Sequence, residues 1–177
     1  LMSQQVNETK QIAAFLLKEI DRLIDRPVRI MEVCGTHTVS IFRAGIRQLL
    51  PEKVELVSGP GCPVCVTPND YLDTAIAYAR QEDVIITTFG DMLKVPGTSS
   101  SLNQVKAEGR DIRIIYSPMD SLQIAKDNPD KKVIFLAVGF DTTSPTAAAT
   151  ILAAKQQNIN FFFVLTAHKL TPPAIEA

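Results

Sequence analysis

The segment V-E-L-V-S-G-P-G-C-P-V-C-V-T-P-N-D, residues 54–70, holds one full cycle of the fold. Its opening residues, 54–57, read as a short strand. A Gly/Pro-rich loop over 58–68 breaks the chain's direction, and Asn69 or Asp70 stands where a helix cap is wanted, with the helix expected to run to Gln81. The same cycle recurs on both sides. Upstream, 5–24 has helical periodicity, with Ile12, Phe15, Leu16, Ile20 and Leu23 on one face. A strand over 28–33 and a helix over 38–50, stopped by Pro51, come next. Downstream lie a strand at 84–88, a loop at 89–97, and a helix at 99–107 with Gly109 just past its end. A strand at 112–115 then leads to a helix at 119–125 that closes at Asn128-Pro129.

Short β-branched strands separated by helices predict an α/β protein with parallel sheets flanked by helices. After the polar stretch 127–132, which contains Pro129, the cycle starts again: strand 132–139, helix 145–156, strand 161–166. The expected organisation is therefore two similar Rossmann-like domains. Residues 1–129 would form the first, and 130–177 the incomplete start of the second, since two strands cannot make a stable sheet alone. Leu1 stands before Met2, which suggests a natural start at Met2. Residues 170–177 place Pro172 as at a helix opening, so the chain is expected to be a fragment of a longer protein.

Composition removes several functions. The chain has 177 residues, of which 46% are hydrophobic and 21% charged, enough apolar surface for a real core. A net charge of −1 with no basic run argues against a nucleic-acid binder. The longest apolar runs, 133–138 and 160–167, are strand-length, so no membrane span is expected. Gln4, Gln5, Asn7 and Glu8 occupy the place of a signal peptide's apolar core, and the protein is expected to be cytoplasmic. No G-x-x-x-x-G-K-[ST] occurs, and the glycines of Ser58-Gly59-Pro60-Gly61 do not form G-x-G-x-x-G. That loop could cradle an anion, but a tight turn is the plainer reading.

Residues capable of chemistry share one address, the loop after a strand. Cys34–His37 follows the first strand, Gly59–Cys65 the second and Gly90–Gly97 the third; Gly139–Pro145 and His168 follow the last two. Ligands of open α/β sheets bind outside the carboxyl ends of the strands, so one site between two domains is the natural expectation. The three cysteines fall into Cys34-Gly35-Thr36-His37 and Cys62-Pro63-Val64-Cys65. Three readings stay open from spacing alone. Zinc could be held by Cys34, His37, Cys62 and Cys65 in a stabilised binding module. Cys62 and Cys65 could be a redox dithiol, as in a thiol-disulfide oxidoreductase. The cysteines could also be small buried hydrophobes. A lone histidine is more often structural than catalytic, but His37 and His168 each follow a strand, which raises the odds of function. Asp91 could be an acid/base or a turn residue. Thr142 and Thr143 could face a ligand or cap the helix that Pro145 opens.

Taken together, Glu32-Val33-Cys34-Gly35-Thr36-His37-Thr38, then Gly59-Pro60-Gly61-Cys62-Pro63-Val64-Cys65, then Phe89-Gly90-Asp91-Met92 with Val95-Pro96-Gly97, then Gly139-Phe140-Asp141-Thr142-Thr143, resemble the HypD family of [NiFe]-hydrogenase maturation proteins. His168-Lys169-Leu170 with Pro172-Pro173-Ala174 fits the same pattern. The resemblance runs through almost all of the chain after the first helix. It departs at Asp141, where the family usually has Glu, and in length, the family being about twice as long, judged against ordinary domain sizes.

The resemblance implies a scaffold on which the Fe(CN)2CO group of the hydrogenase is assembled. Cys34 would be the thiolate that binds iron. Cys62 and Cys65 would be the redox dithiol, with His37 and Asp91 also among the reacting groups. Gly35, Thr36, Phe140, Asp141, Thr142, Thr143 and His168 would lie around the bound group. The implied partners are the small chaperone HypC, whose N-terminal cysteine shares the iron, and the cyanide donor HypE. The family's [4Fe–4S] cluster would take its ligands from residues outside this chain. Thiolate ligation suits a soft, low-spin iron, and cyanide accepts hydrogen bonds from donors such as His37, Thr142 and Thr143.

Overall fold

A computed structural model of the chain describes residues 2–176. It is α/β throughout, and every strand pairing is parallel. The chain divides into two compact units, residues 1–62 and 63–177.

The first unit contains helix α1 (Met2–Leu23), strand β1 (Val28–Glu32), helix α2 (Gly35–Arg43), the short helix α3 (Ile46–Leu49) and strand β2 (Val54–Ser58). β1 and β2 pair in register from Val28 opposite Val54 to Glu32 opposite Ser58. The expected helix over 38–50 is two helices. It starts three residues earlier than expected, at Gly35, and breaks at Gly45, whose φ of 64° is left-handed and ends the helical hydrogen-bond run. None of the residues whose burial is described in this unit is buried. The apolar stripe expected on α1 is present but open, with Phe15 63% and Leu23 66% exposed.

The second unit has the larger core. Helix α4 (Asn69–Ala79), strand β3 (Val84–Thr88), helix α5 (Leu102–Ala107), strand β4 (Ile112–Ile114), helix α6 (Pro118–Asp127), strand β5 (Lys132–Ala137), helix α7 (Ser144–Gln156), strand β6 (Phe162–Thr166) and helix α8 (Pro172–Glu176) follow in order. Short 3-10 helices span Gly90–Lys94 and Asp141–Thr143. The strand order is β4-β3-β5-β6. All five residues of β3 are buried, as are all of β5 after Lys132, so the two central strands are near-continuous apolar runs covered on both faces. Ala75, Ile76 and Val105 from α4 and α5 pack with Val84, Ile86, Ile134 and Leu136. On the opposite face Phe135 and Ala137 pack with Ala147 of α7, and Ile124 of α6 lies against them.

Two expectations change here. The boundary expected near Pro129 is not where the chain divides: β3 pairs with β4 on one side and β5 on the other, so strands before and after Pro129 share one sheet. Asn69 and Asp70 do not cap α4; Pro68 holds the cap position in extended backbone and Asn69 is already helical. Proline tolerates that place because its missing N–H would have been unsatisfied there. Among the described residues no helix is long and apolar enough to cross a membrane.

Candidate functional site

The first unit gathers its candidate residues at the junction of β1 and α2. Cys34 is the cap residue of α2, with φ −135° and ψ 120°. Its carbonyl accepts from the N–H of His37 at 2.9 Å and of Thr38 at 3.2 Å, which closes the first helical turn. The amide of His37, and after it that of Thr36, hold the Cys34 thiol below its usual pKa. The sulfur makes no hydrogen bond of capping geometry, so the effect is that of amide dipoles at a helix start stabilising a thiolate. Gly35 lies in open space, and Thr36 and His37 are exposed in the first turn. A ligand on Cys34 would therefore meet backbone donors on one side and solvent on the other.

Glu32 belongs to this group, although sequence reasoning did not single it out. It lies two residues before Cys34 along an extended segment, and its carboxylate accepts a hydrogen bond from Thr38 Oγ1 on α2. That bond is the main reason its pKa lies below the ordinary carboxylate value. The other carboxylate oxygen, Oε2, is buried with no hydrogen-bond partner. The charge acts back on Cys34, raising the thiol pKa against the amides. The signal available in the sequence was the two-residue spacing, which places residues of an extended segment on one side.

The glycines after β2 have separate reasons. A Cβ on Gly59 would stand 2.5 Å from the carbonyl oxygen of Glu32, to which the Gly59 N–H donates at 2.8 Å. Gly61 has a φ of 85°. The loop is thus a close approach followed by a left-handed turn, as its plainer reading expected. Cys62 and Cys34 are half-buried, and Cys65 is exposed. Cys62 closes the first unit and Cys65 lies in the second. The turn carrying Cys65 is braced by Thr67, whose hydroxyl donates to the Pro63 carbonyl at 2.8 Å and which is itself buried. Among the described residues, no three His, Cys, Asp or Glu side chains are grouped to hold a metal ion.

In the second unit, Phe140, Asp141, Thr142, Thr143 and His168 come together at the carboxyl ends of β5 and β6. The loops after these strands are laced by Lys169 N–H donating to the Gly139 carbonyl and Asp141 N–H to the Lys169 carbonyl, both at 2.9 Å. The carboxylate of Asp141 accepts from the hydroxyl of Thr171, which holds its pKa below the ordinary value. Thr143 donates to the Phe140 carbonyl at 2.8 Å, and Thr142 is exposed. Gly139 leaves room for Thr143: a Cβ there would sit 2.0 Å from Thr143 Oγ1. His168 Nδ1 meets Thr166 Oγ1 at 2.9 Å, and partial burial lowers its pKa, favouring the neutral ring. Asp91 is exposed in the first turn of the Gly90–Lys94 helix. The loop after it is pinned by Asp73, which accepts from the N–H and hydroxyl of Thr98 at 2.8 and 2.6 Å.

Comparison with known proteins bears on this arrangement. The model of the family described as HypD, hydrogenase formation hypA family, matches residues 10–177. The hydrogenase maturation factor HypD of Escherichia coli is 50% identical over 153 residues, covering 86% of this chain and 41% of the relative. The protein of the same description from Azotobacter vinelandii is 48% identical over 169 residues, covering 95% and 44%. A putative hydrogenase expression/formation protein of Methanocaldococcus jannaschii is 45% identical over 169 residues, covering 92% and 47%. The chain spans less than half the length of these curated relatives. With a match over nearly its whole length, and with its cysteine loops at strand ends where the resemblance expected them, the chain belongs to the HypD hydrogenase formation family.

Proposed function

We propose that the protein works in hydrogenase maturation as a scaffold that carries an Fe(CN)2CO group as cargo, held through Cys34. The observation that carries this reading is the place of Cys34 at the start of α2, where the amides of His37 and Thr36 favour the thiolate that a soft iron requires. Cys34 offers one protein ligand, so the remaining positions on the iron belong to its diatomic groups and to a partner thiolate, the role of HypC. Cyanide would come from HypE. Thr36 and His37 are exposed beside Cys34 and can donate to the cyanide nitrogens. In the second unit, Thr142 is an exposed hydroxyl of the same kind.

Cys62 and Cys65 are proposed as a dithiol whose oxidation to a disulfide releases two electrons and two protons for attachment of the ligands. The cluster that would recharge them, of the [4Fe–4S] type, takes its ligands from outside this chain, whose three cysteines are already assigned.

The test is an infrared spectrum of the protein purified without oxygen after co-expression with its small partner, as wild type and as Cys34→Ala. Cyanide and carbonyl stretches present in the first and lost in the second support the scaffold. No such bands, with stoichiometric zinc, would replace it by a binding module. No bands and no metal, with a titratable Cys62–Cys65 disulfide, would replace it by a thiol-disulfide oxidoreductase.

A further inference from the structure

The four-stranded sheet changes its winding direction between β3 and β5. From β3 the chain passes through α5 to β4 on one side, and from β5 it passes through α7 to β6 on the other. In open parallel sheets a crevice forms outside the carboxyl ends of the strands at such a point, and small molecules bind there. A cavity of about 260 Å³ occupies this place. Phe89, just past β3, and Phe135 of β5 form one wall, their rings edge to face with centroids 5.9 Å apart. Ala147 of α7 leaves room opposite, and Tyr116, Ser117 and His168 supply the polar groups. Tyr116 is 92% exposed, an aromatic ring held at the rim without packing against the core.

The polar inventory narrows the ligand. None of the residues lining the cavity is Lys, Arg, Asp or Glu. The start of α6 is already neutralised: the Asp120 carboxylate accepts from the N–H groups of Tyr116 and Ser117 at 3.1 and 2.9 Å, so an anion gains nothing there. Partial burial favours the neutral ring of His168, and its Nδ1 is engaged by Thr166, leaving Nε2 for a ligand. The hydroxyls of Thr143 and Thr146 donate to backbone carbonyls. What remains is an uncharged space with the exposed Tyr116 ring on one side and the neutral hydrogen-bonding groups of His168 and Ser117 at its edge. We infer that this cavity binds a planar, uncharged heteroaromatic ring, stacked on Tyr116 and read at its polar edge by His168 and Ser117.

The test is saturation-transfer NMR on the whole protein with nicotinamide and adenine as probes, and benzoate as a charged ring of similar size. Transfer to the nicotinamide and adenine ring protons is expected, with benzoate weaker. Tyr116→Ala removes the stacking partner and is expected to weaken binding about tenfold, and Ala147→Leu, which fills the cavity, to abolish it. Tyr116 is exposed, so its replacement leaves the core intact and decides the matter even where Ala147→Leu folds poorly. No transfer to either uncharged ring at millimolar concentration, undiminished transfer in Tyr116→Ala, or preference for benzoate would overturn the inference. No iron enters the readout, so this result and the infrared result stand or fall separately.

Discussion

Thr38 donates its hydroxyl to the carboxylate of Glu32, tying the first turn of α2 to the end of β1. The bond keeps a negative charge beside Cys34 while the amides of His37 and Thr36 pull the thiol toward its anion. Two opposed influences thus act on one sulfur, and they can be separated.

Glu32→Gln keeps the shape of the side chain and removes its charge. The carboxylate raises the Cys34 pKa, so its loss lowers it further, and the thiolate persists to more acidic pH. Alkylation of Cys34 by iodoacetamide, followed against pH by mass spectrometry, is expected to show its midpoint moved down in Glu32→Gln. A midpoint that stays would mean that the amides act alone, and one that rises would mean that the Glu32 charge does not oppose the thiolate.

Gly139 and Thr143 form a second dependent pair. A methyl group at Gly139 would overlap Thr143 Oγ1, whose hydroxyl holds the turn before α7 by its bond to the Phe140 carbonyl. Gly139→Ala is expected to destabilise the second unit by about 1–3 kcal/mol through forced displacement. Combining it with Thr143→Ala removes the obstructing oxygen, so the double variant should be less destabilised than the sum of the singles, measured by chemical denaturation.

Much of this was legible in the sequence, for identifiable reasons. Val84–Thr88 and the run beginning at Lys132 declared themselves as strands because buried parallel strands are unbroken β-branched and apolar runs between Gly, Pro and polar punctuation. The chemistry-bearing loops were placed correctly because loops follow strands. Strand order was not legible: nothing local tells β5 to pair with β3 across Pro129 rather than to start a new sheet. The start of α2 at Gly35 was hidden because glycine is a poor helix former and cysteine an unusual cap. The Asp141–Thr171 bond joins residues thirty apart in sequence, and only the pairing of β5 with β6 brings them together.

His168 supplies a prediction in pH. Burial lowers its pKa below 6.5, so the folded state prefers the neutral ring. The folded form then binds fewer protons than the unfolded one as pH falls below that value, and the His168 contribution to stability is full above pH 6.5 and declines through the acid side. The group is only partly buried, so the loss is small. The imidazole Cε1 proton followed by NMR should titrate with a midpoint under 6.5, and His168→Gln should flatten the acid limb of the stability profile.

The two units differ in what holds them. In the second, Ile86 and Leu136 are fully buried at the centre of a covered sheet. Truncating either to Ala is expected to cost about 2–5 kcal/mol, the price of lost transfer energy and a residual cavity. In the first, Phe42 on α2 is 80% exposed, and Phe42→Ala should stay within about 0.5 kcal/mol of wild type. The contrast should also appear without mutation. Amides of β3 and β5 lie in ladders sealed on both faces, whereas those of β1 and β2 lie in a two-stranded ladder with no buried residue on either strand. Hydrogen exchange is therefore expected to be slowest in β3 and β5 and markedly faster in β1 and β2. Equal protection of the two sheets would mean that the first unit is held by contacts beyond its own strands and helices, and the junction that presents Cys34 would then owe its order to them.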